Sequence, residues 1–175
     1  MGAADFTTIA VGKTPGLAFN AAIEDALYDY GHAGYTGTIA EKGGDGFVMF
    51  AIKPRTNPLD VRSKLWDAQV ALSYEQDPTS EYVRKPKAAE RNALSWLRER
   101  VSLAPVKREN RYGSDFGYSS RPRDAAASLI EAADAKWGAC ACIEITGARA
   151  AKIKAERGRK GTHDKVFLFF GTASC

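Results

Sequence analysis

No run of apolar residues in the chain approaches the roughly 20 that a helix needs to cross a bilayer. The opening MGAADFTTIA carries neither a basic stretch nor a long apolar segment of the kind that directs export. Both absences point to a protein of the cytoplasm that makes no use of a membrane. Cysteine is scarce: Cys140, Cys142 and Cys175 are an odd number, and two of them stand one residue apart. A disulfide framework is not expected from that pattern, and a zinc centre lacks both paired CxxC elements and a Cys/His cluster. The thiols read instead as small apolar side chains on a buried strand. Histidine is scarcer still. His32 and His163 are the two in the chain, and Ala33-Gly34 and Asp164-Lys165 follow them, so neither opens the HxT motif of a two-histidine phosphodiesterase. No metal and no cofactor is expected.

What is present is the balance of an ordinary globular protein. Hydrophobic residues make up 45% of 175 and charged residues 26%, which suits one core and one domain over residues 1–175. Hydrophobic periodicity divides the chain into strands and helices. Asp5–Val11 reads as a strand. Thr14-Pro15 supplies an N-cap and a first-turn proline for a helix whose stripe is Phe19, Ile23, Ala26 and Leu27, stopped at Gly31. Tyr35–Lys42 and Phe47–Ile52 read as a hairpin about Gly43-Gly44-Asp45-Gly46. Asn57-Pro58 opens a second helix with Val61, Leu65, Ala68 and Leu72 inward. A third, basic helix carries Ala93, Leu94, Leu97 and Val101, and a fourth runs from about Asp124 to Trp137. Ala139–Ile145 and Val166–Phe170 are the last strands, with room for a short helix between them. The expected fold is therefore α+β: a mainly antiparallel sheet of about five strands with three or four helices on one face. Helix, aromatic-Gly, strand, connector and strand occur at Tyr30-Gly31 and again at Trp137-Gly138, a faint internal echo.

Charge is segregated. Residues 1–82 hold 6 Lys/Arg against 11 Asp/Glu, and residues 83–175 hold 19 against 10, so the modest net charge conceals a basic half suited to an anionic partner. Within it, a central region at about 73–123 carries Arg84, Lys85, Lys87, Arg91, Arg98, Lys107, Arg108, Arg111, Arg121 and Arg123, interleaved with Tyr82, Tyr112 and Tyr118. Cations among aromatics suit phosphate contacts with base stacking; the plainer alternative is a solvated basic face. The second unusual stretch is YDYGHAGYTGTIAEK at Tyr28–Lys42. Its glycines let a ligand approach the backbone, and His32, Tyr35, Thr36, Thr38, Glu41 and Lys42 offer hydrogen bonds, stacking and charge. His32 with Glu41 would form a general acid–base pair if the fold joined them. The glycines fit neither a phosphate-binding P-loop nor a dinucleotide fingerprint, and a tight turn whose polar side chains cap backbone groups is the plainer reading.

Two segments, YDYGHAGYTGTIAEK and Lys136-Trp137-Gly138 with the terminal VFLFFGTAS, resemble a family of small proteins encoded by tailed bacteriophages and prophages. The likeness covers roughly the first 50 and last 40 residues and brings no catalytic residues with it. It implies a phage origin and action in the bacterial cytoplasm. The reading that follows is an accessory binding protein that blocks or sequesters a host factor, such as a defence system. Its partner would be a host protein or nucleoprotein complex, with nucleic acid or nucleotide as the anionic component. The alternatives are a nucleotide-directed enzyme or nucleotide-binding protein with its pocket at residues 31–42, and a minor virion component.

Overall fold

The computed structural model describes residues 2–32, 34–104 and 124–175. Its elements follow in the order β1 (Ala3–Gly12), α1 (Pro15–Tyr30), a 3-10 helix (Ile39–Lys42), β2 (Phe47–Ile52), α2 (Pro58–Ser63), α3 (Leu65–Gln76), α4 (Ala88–Arg100), β3 (Val101–Leu103), α5 (Ala125–Asp134), β4 (Cys140–Ile145), α6 (Gly147–Glu156) and β5 (Lys165–Ser174). The five strands form one sheet in the order β1-β5-β4-β2-β3. Every neighbouring pair is antiparallel except β2 and β4, which run parallel from Phe47 beside Cys140 to Phe50 beside Ile143. The fold is thus the expected α+β domain with a mostly antiparallel sheet.

The apolar character of the central strands explains their position. In β5, Val166, Leu168 and Phe170 face one side and Phe167, Phe169 and Ala173 the other, and all are buried. A strand covered on both faces has no solvent side to keep polar, so its sequence reads as a continuous apolar run. On one face, α1 lays Ala18, Phe19, Ala22 and Ile23 against the sheet. Phe19, Phe47 and Phe169 meet there with ring centroids 5.0 to 5.5 Å apart, tilted or edge to face. Cys140 and Cys142 belong to this face, buried and outside any disulfide. The other face is covered by Val61 of α2, Ala68 and Leu72 of α3, Leu94 and Leu97 of α4, Leu129 of α5 and Ala150 of α6. The described α-helices are therefore six instead of three or four: five share one face, and α1 covers the other together with Ile39 of the 3-10 turn.

Three local expectations are corrected. Tyr35–Lys42 is not a strand and forms no hairpin with β2. Gly34, Tyr35 and Gly37 have φ of 74°, 57° and 69°, which an extended strand cannot contain, and the segment ends in the 3-10 turn capped by Thr38. The second helix breaks at Lys64 into α2 and α3. Val101, placed on the apolar stripe of the third helix, instead opens β3 and pairs with Ile52; a β-branched residue following Arg100 satisfies β2's edge at no cost to burial.

Lys42 links two of these elements. Its side chain is fully buried, and Nζ donates to the carbonyls of Ala135 at 2.6 Å and Lys136 at 2.9 Å, just past the end of α5. A cation there satisfies carbonyls left without helical partners and opposes the negative end of the helix dipole. Burial pushes its pKa down from the usual lysine value. Lys42→Met keeps the length of the chain and leaves both carbonyls without that donor. The expected cost is about 1–3 kcal/mol, read as a lower midpoint in urea unfolding with an unchanged slope.

Candidate functional site

The glycine-rich segment lies where the sheet ends at the N-terminus of β1 and the C-terminus of β5, for the Gly37 amide donates to the Ser174 carbonyl at 2.8 Å. A Cβ at Gly37 would stand 3.0 Å from Cβ of Ala4, so the backbone is pressed against the sheet and not held open for a ligand. The fold brings Thr36, Thr38 and Glu41 together. Thr36 donates to Glu41 Oε1 from both its amide and its hydroxyl, each at 3.1 Å. The two threonine hydroxyls are 2.8 Å apart, and Thr38 accepts the Ala40 amide at 3.3 Å. These groups satisfy one another and fix the turn. His32 and Tyr35 are exposed, His32 makes no hydrogen bond to Glu41 among the described residues, and Lys42 is directed into the α5 terminus. The expected His32–Glu41 acid–base pair is not assembled.

The central basic residues divide. Arg84 forms a bidentate pair with the buried Glu90, and Arg98 bridges Glu75 at 2.8 Å and Asp124, so both tie α4 to its surroundings. Pairing raises the pKa of each guanidinium. Arg91 donates to the Pro86 carbonyl. Lys85 and Lys87 are exposed, and the Lys87 amide donates to Glu90 at 2.6 Å. Lys107, Arg108, Arg111, Arg121 and Arg123 lie outside the described residues.

A different basic constellation forms at the opposite end of the sheet. β2 and β4 are parallel, so their C-terminal ends, Ile52 and Ile145, lie side by side. From there the chain leaves β2 toward β3 and leaves β4 toward β5. Connections that part from adjacent parallel strands open a crevice beyond their carboxyl ends. Here it is a cleft of about 610 Å³ between the starts of α2 and α6. Lys53, Arg55 and Arg149 line it, with Phe50, Ile52 and Ile145 as apolar wall. None of the three cations enters an ion pair among the described residues. Glu144 also lines the cleft, and its carboxylate is engaged by Lys165 at 3.1 Å.

Local sequence builds both walls. In Lys53-Pro54-Arg55-Thr56, the Thr56 amide donates to the Lys53 carbonyl at 3.1 Å. Proline holds the second position and Arg55 the third, with φ of 66°, where a type II turn ordinarily places glycine. A side chain kept at a position that disfavours it costs on the order of 1 kcal/mol. On the facing wall, Arg149 donates to Asn57 Oδ1 at 2.6 Å, while the same oxygen caps α2 through the Leu59 amide at 3.2 Å. That bond fixes the two walls relative to each other and leaves Arg149 further N–H groups to offer. The division of the chain into acidic and basic halves concealed this site, since Lys53 and Arg55 belong to the acidic half. The signals that mark it are KPRTN and ITGAR, each a strand end followed by turn residues, a cation and a helix.

Glu90 provides a check on the structural role of the α4 cations. The Arg84 side chain, then the Lys87 amide, lowers its pKa from 4.5 to about 2. A carboxylate with a depressed folded pKa stabilises the fold above its unfolded pKa, and that contribution fades as pH falls toward the folded value. The stability difference between the wild type and Glu90→Gln, measured by urea unfolding, should accordingly be constant from pH 7 to about 5 and shrink between about 4.5 and 2. Comparison of the chain with protein-family models, with curated proteins and with solved structures finds no match.

Proposed function

We propose that this chain is a binding protein that takes an anionic partner at the cleft between α2 and α6. In the phage setting that its sequence resembles, such binding would block or sequester a host factor, and the partner of best fit is the nucleic-acid component of a host nucleoprotein complex. The observation that carries the reading is the convergence of Lys53, Arg55 and Arg149 on one cleft with no ion pair among the described residues, in contrast to Arg84 and Arg98, which neighbouring carboxylates neutralise. Cations that no neighbouring carboxylate neutralises are the ones available to phosphate. The rival reading, a pocket at residues 31–42, draws no support from a segment whose polar groups bond to one another.

Fluorescence anisotropy with labelled single-stranded DNA and RNA tests the proposal. Binding through three phosphate contacts predicts a slope of log affinity against log salt of about −2. The double variant Lys53→Glu, Arg55→Glu should weaken binding at least tenfold, and Lys85→Glu, Lys87→Glu less than twofold. The reverse ranking, or binding indifferent to salt, would refute the cleft as the contact. Arg55→Gly separates function from folding: glycine relieves the positive φ, so stability should hold or rise by up to about 1 kcal/mol while affinity falls.

A further inference from the structure

We infer that the ligand seated in this cleft is a nucleotide bearing a terminal phosphate, its phosphomonoester on the cations and its base or sugar against the apolar wall; the inference rests on the reading of the cleft as an anion site. Three features of the cleft carry it. The first is size: about 610 Å³ falls within the range of roughly 300–1,000 Å³ typical of small-molecule sites and suits one nucleotide better than a run of backbone. The second is charge. Lys53, Arg55 and Arg149 bring three positive charges to one place, and the negative charge among the lining groups, Glu144, is already held by Lys165. A phosphomonoester carries about −1.5 to −2 near neutrality, against one charge for a phosphodiester, and guanidinium groups arriving from the Lys53–Thr56 turn and from the first turn of α6 match its several oxygens.

The third feature is the division of the lining into a polar and an apolar part. Phe50, Pro58 and Ile145 close the wall from the core side, and the apolar surface that the cleft leaves open comes from Ala51, Ile52 and Pro54, which are exposed or half-buried. A bare inorganic anion would have no use for that surface, whereas a base or ribose would cover it. Such a nucleotide exists in two forms with the same chemistry: as a free mononucleotide, and as the 5′-phosphorylated end of a nucleic-acid strand. The second form would join this site directly to the proposed nucleic-acid partner.

Isothermal titration of the full chain decides it, using the four ribonucleoside 5′-monophosphates, the parent nucleosides, inorganic phosphate, and one oligonucleotide prepared with a 5′-phosphate and with a 5′-hydroxyl. At least one monophosphate should bind tenfold or more tightly than inorganic phosphate, and its nucleoside should give no measurable heat. Arg55→Gly, which the turn accommodates without strain, should remove at least tenfold of the monophosphate affinity with no fall in thermal midpoint. A phosphorylated oligonucleotide that outcompetes every monophosphate identifies a strand end, and a monophosphate that binds where the oligonucleotide does not identifies a free nucleotide; either result supports the inference. Monophosphates that bind no tighter than inorganic phosphate, with both dependent on Arg55, would overturn it while leaving the anion site in place. Binding unaffected by Arg55→Gly and by Lys53→Ala would overturn the inference and the anion site together.

Discussion

The parallel pairing of β2 with β4 is the constraint on which the rest of the structure depends. Strands that run parallel cannot be joined by a tight turn, and the chain must return over a face of the sheet before the next strand enters. Between β2 and β4 that return passes through α2, α3, α4, β3 and α5, which sets four helices on one face, where α6 of the β4–β5 connection joins them, while α1 and the 3-10 turn cover the other. The same pairing sets the ends of β2 and β4 side by side and sends the chain away from them in opposite directions. The cleft is what remains between those departures. Its position is therefore a consequence of topology, and its charge a consequence of which residues the two loops carry.

The fold was legible in the sequence where burial is two-sided or where a cap residue marks a boundary. Thr14-Pro15, Asn57-Pro58 and Asp124 each start a helix, with a side-chain oxygen accepting the expected amide. Phe47–Ile52 and Val166–Phe170 are strands in which nothing polar interrupts the apolar run, and Cys140–Ile145 carries Glu144 as its one charged residue. Alternation misled at Tyr35–Lys42. There, threonines and an isoleucine at strand-like spacing fold as a turn, since side-chain hydrogen bonds from Thr36 and Thr38 compete with an extended ladder and the backbone at Gly34, Tyr35 and Gly37 is left-handed. The density of polar groups that suggested a ligand is the means by which this segment holds itself against β1 and β5.

The site was less legible because charge counted along a chain differs from charge in space. Arg84 and Arg98 are conspicuous in a basic stretch, yet Glu90, Glu75 and Asp124 reach them from other turns and elements. Lys53 and Arg55 are inconspicuous in an acidic half, yet the fold delivers Arg149 from 94 positions further along to the same cleft. What distinguishes the two groups is whether a carboxylate lies within reach once the chain is folded. Arg55 adds an independent local mark, an arginine at a turn position that favours glycine.

The central claim is the location of the anion site, and backbone amide chemical-shift mapping during titration with a 5′-phosphorylated oligonucleotide tests it most directly. The account predicts that the largest shifts fall on Lys53–Asn57 and on 146–149, with Gly34–Lys42 and Ala88–Arg100 little changed. Shifts concentrated instead on the glycine-rich segment or along α4, with the cleft silent, would contradict it.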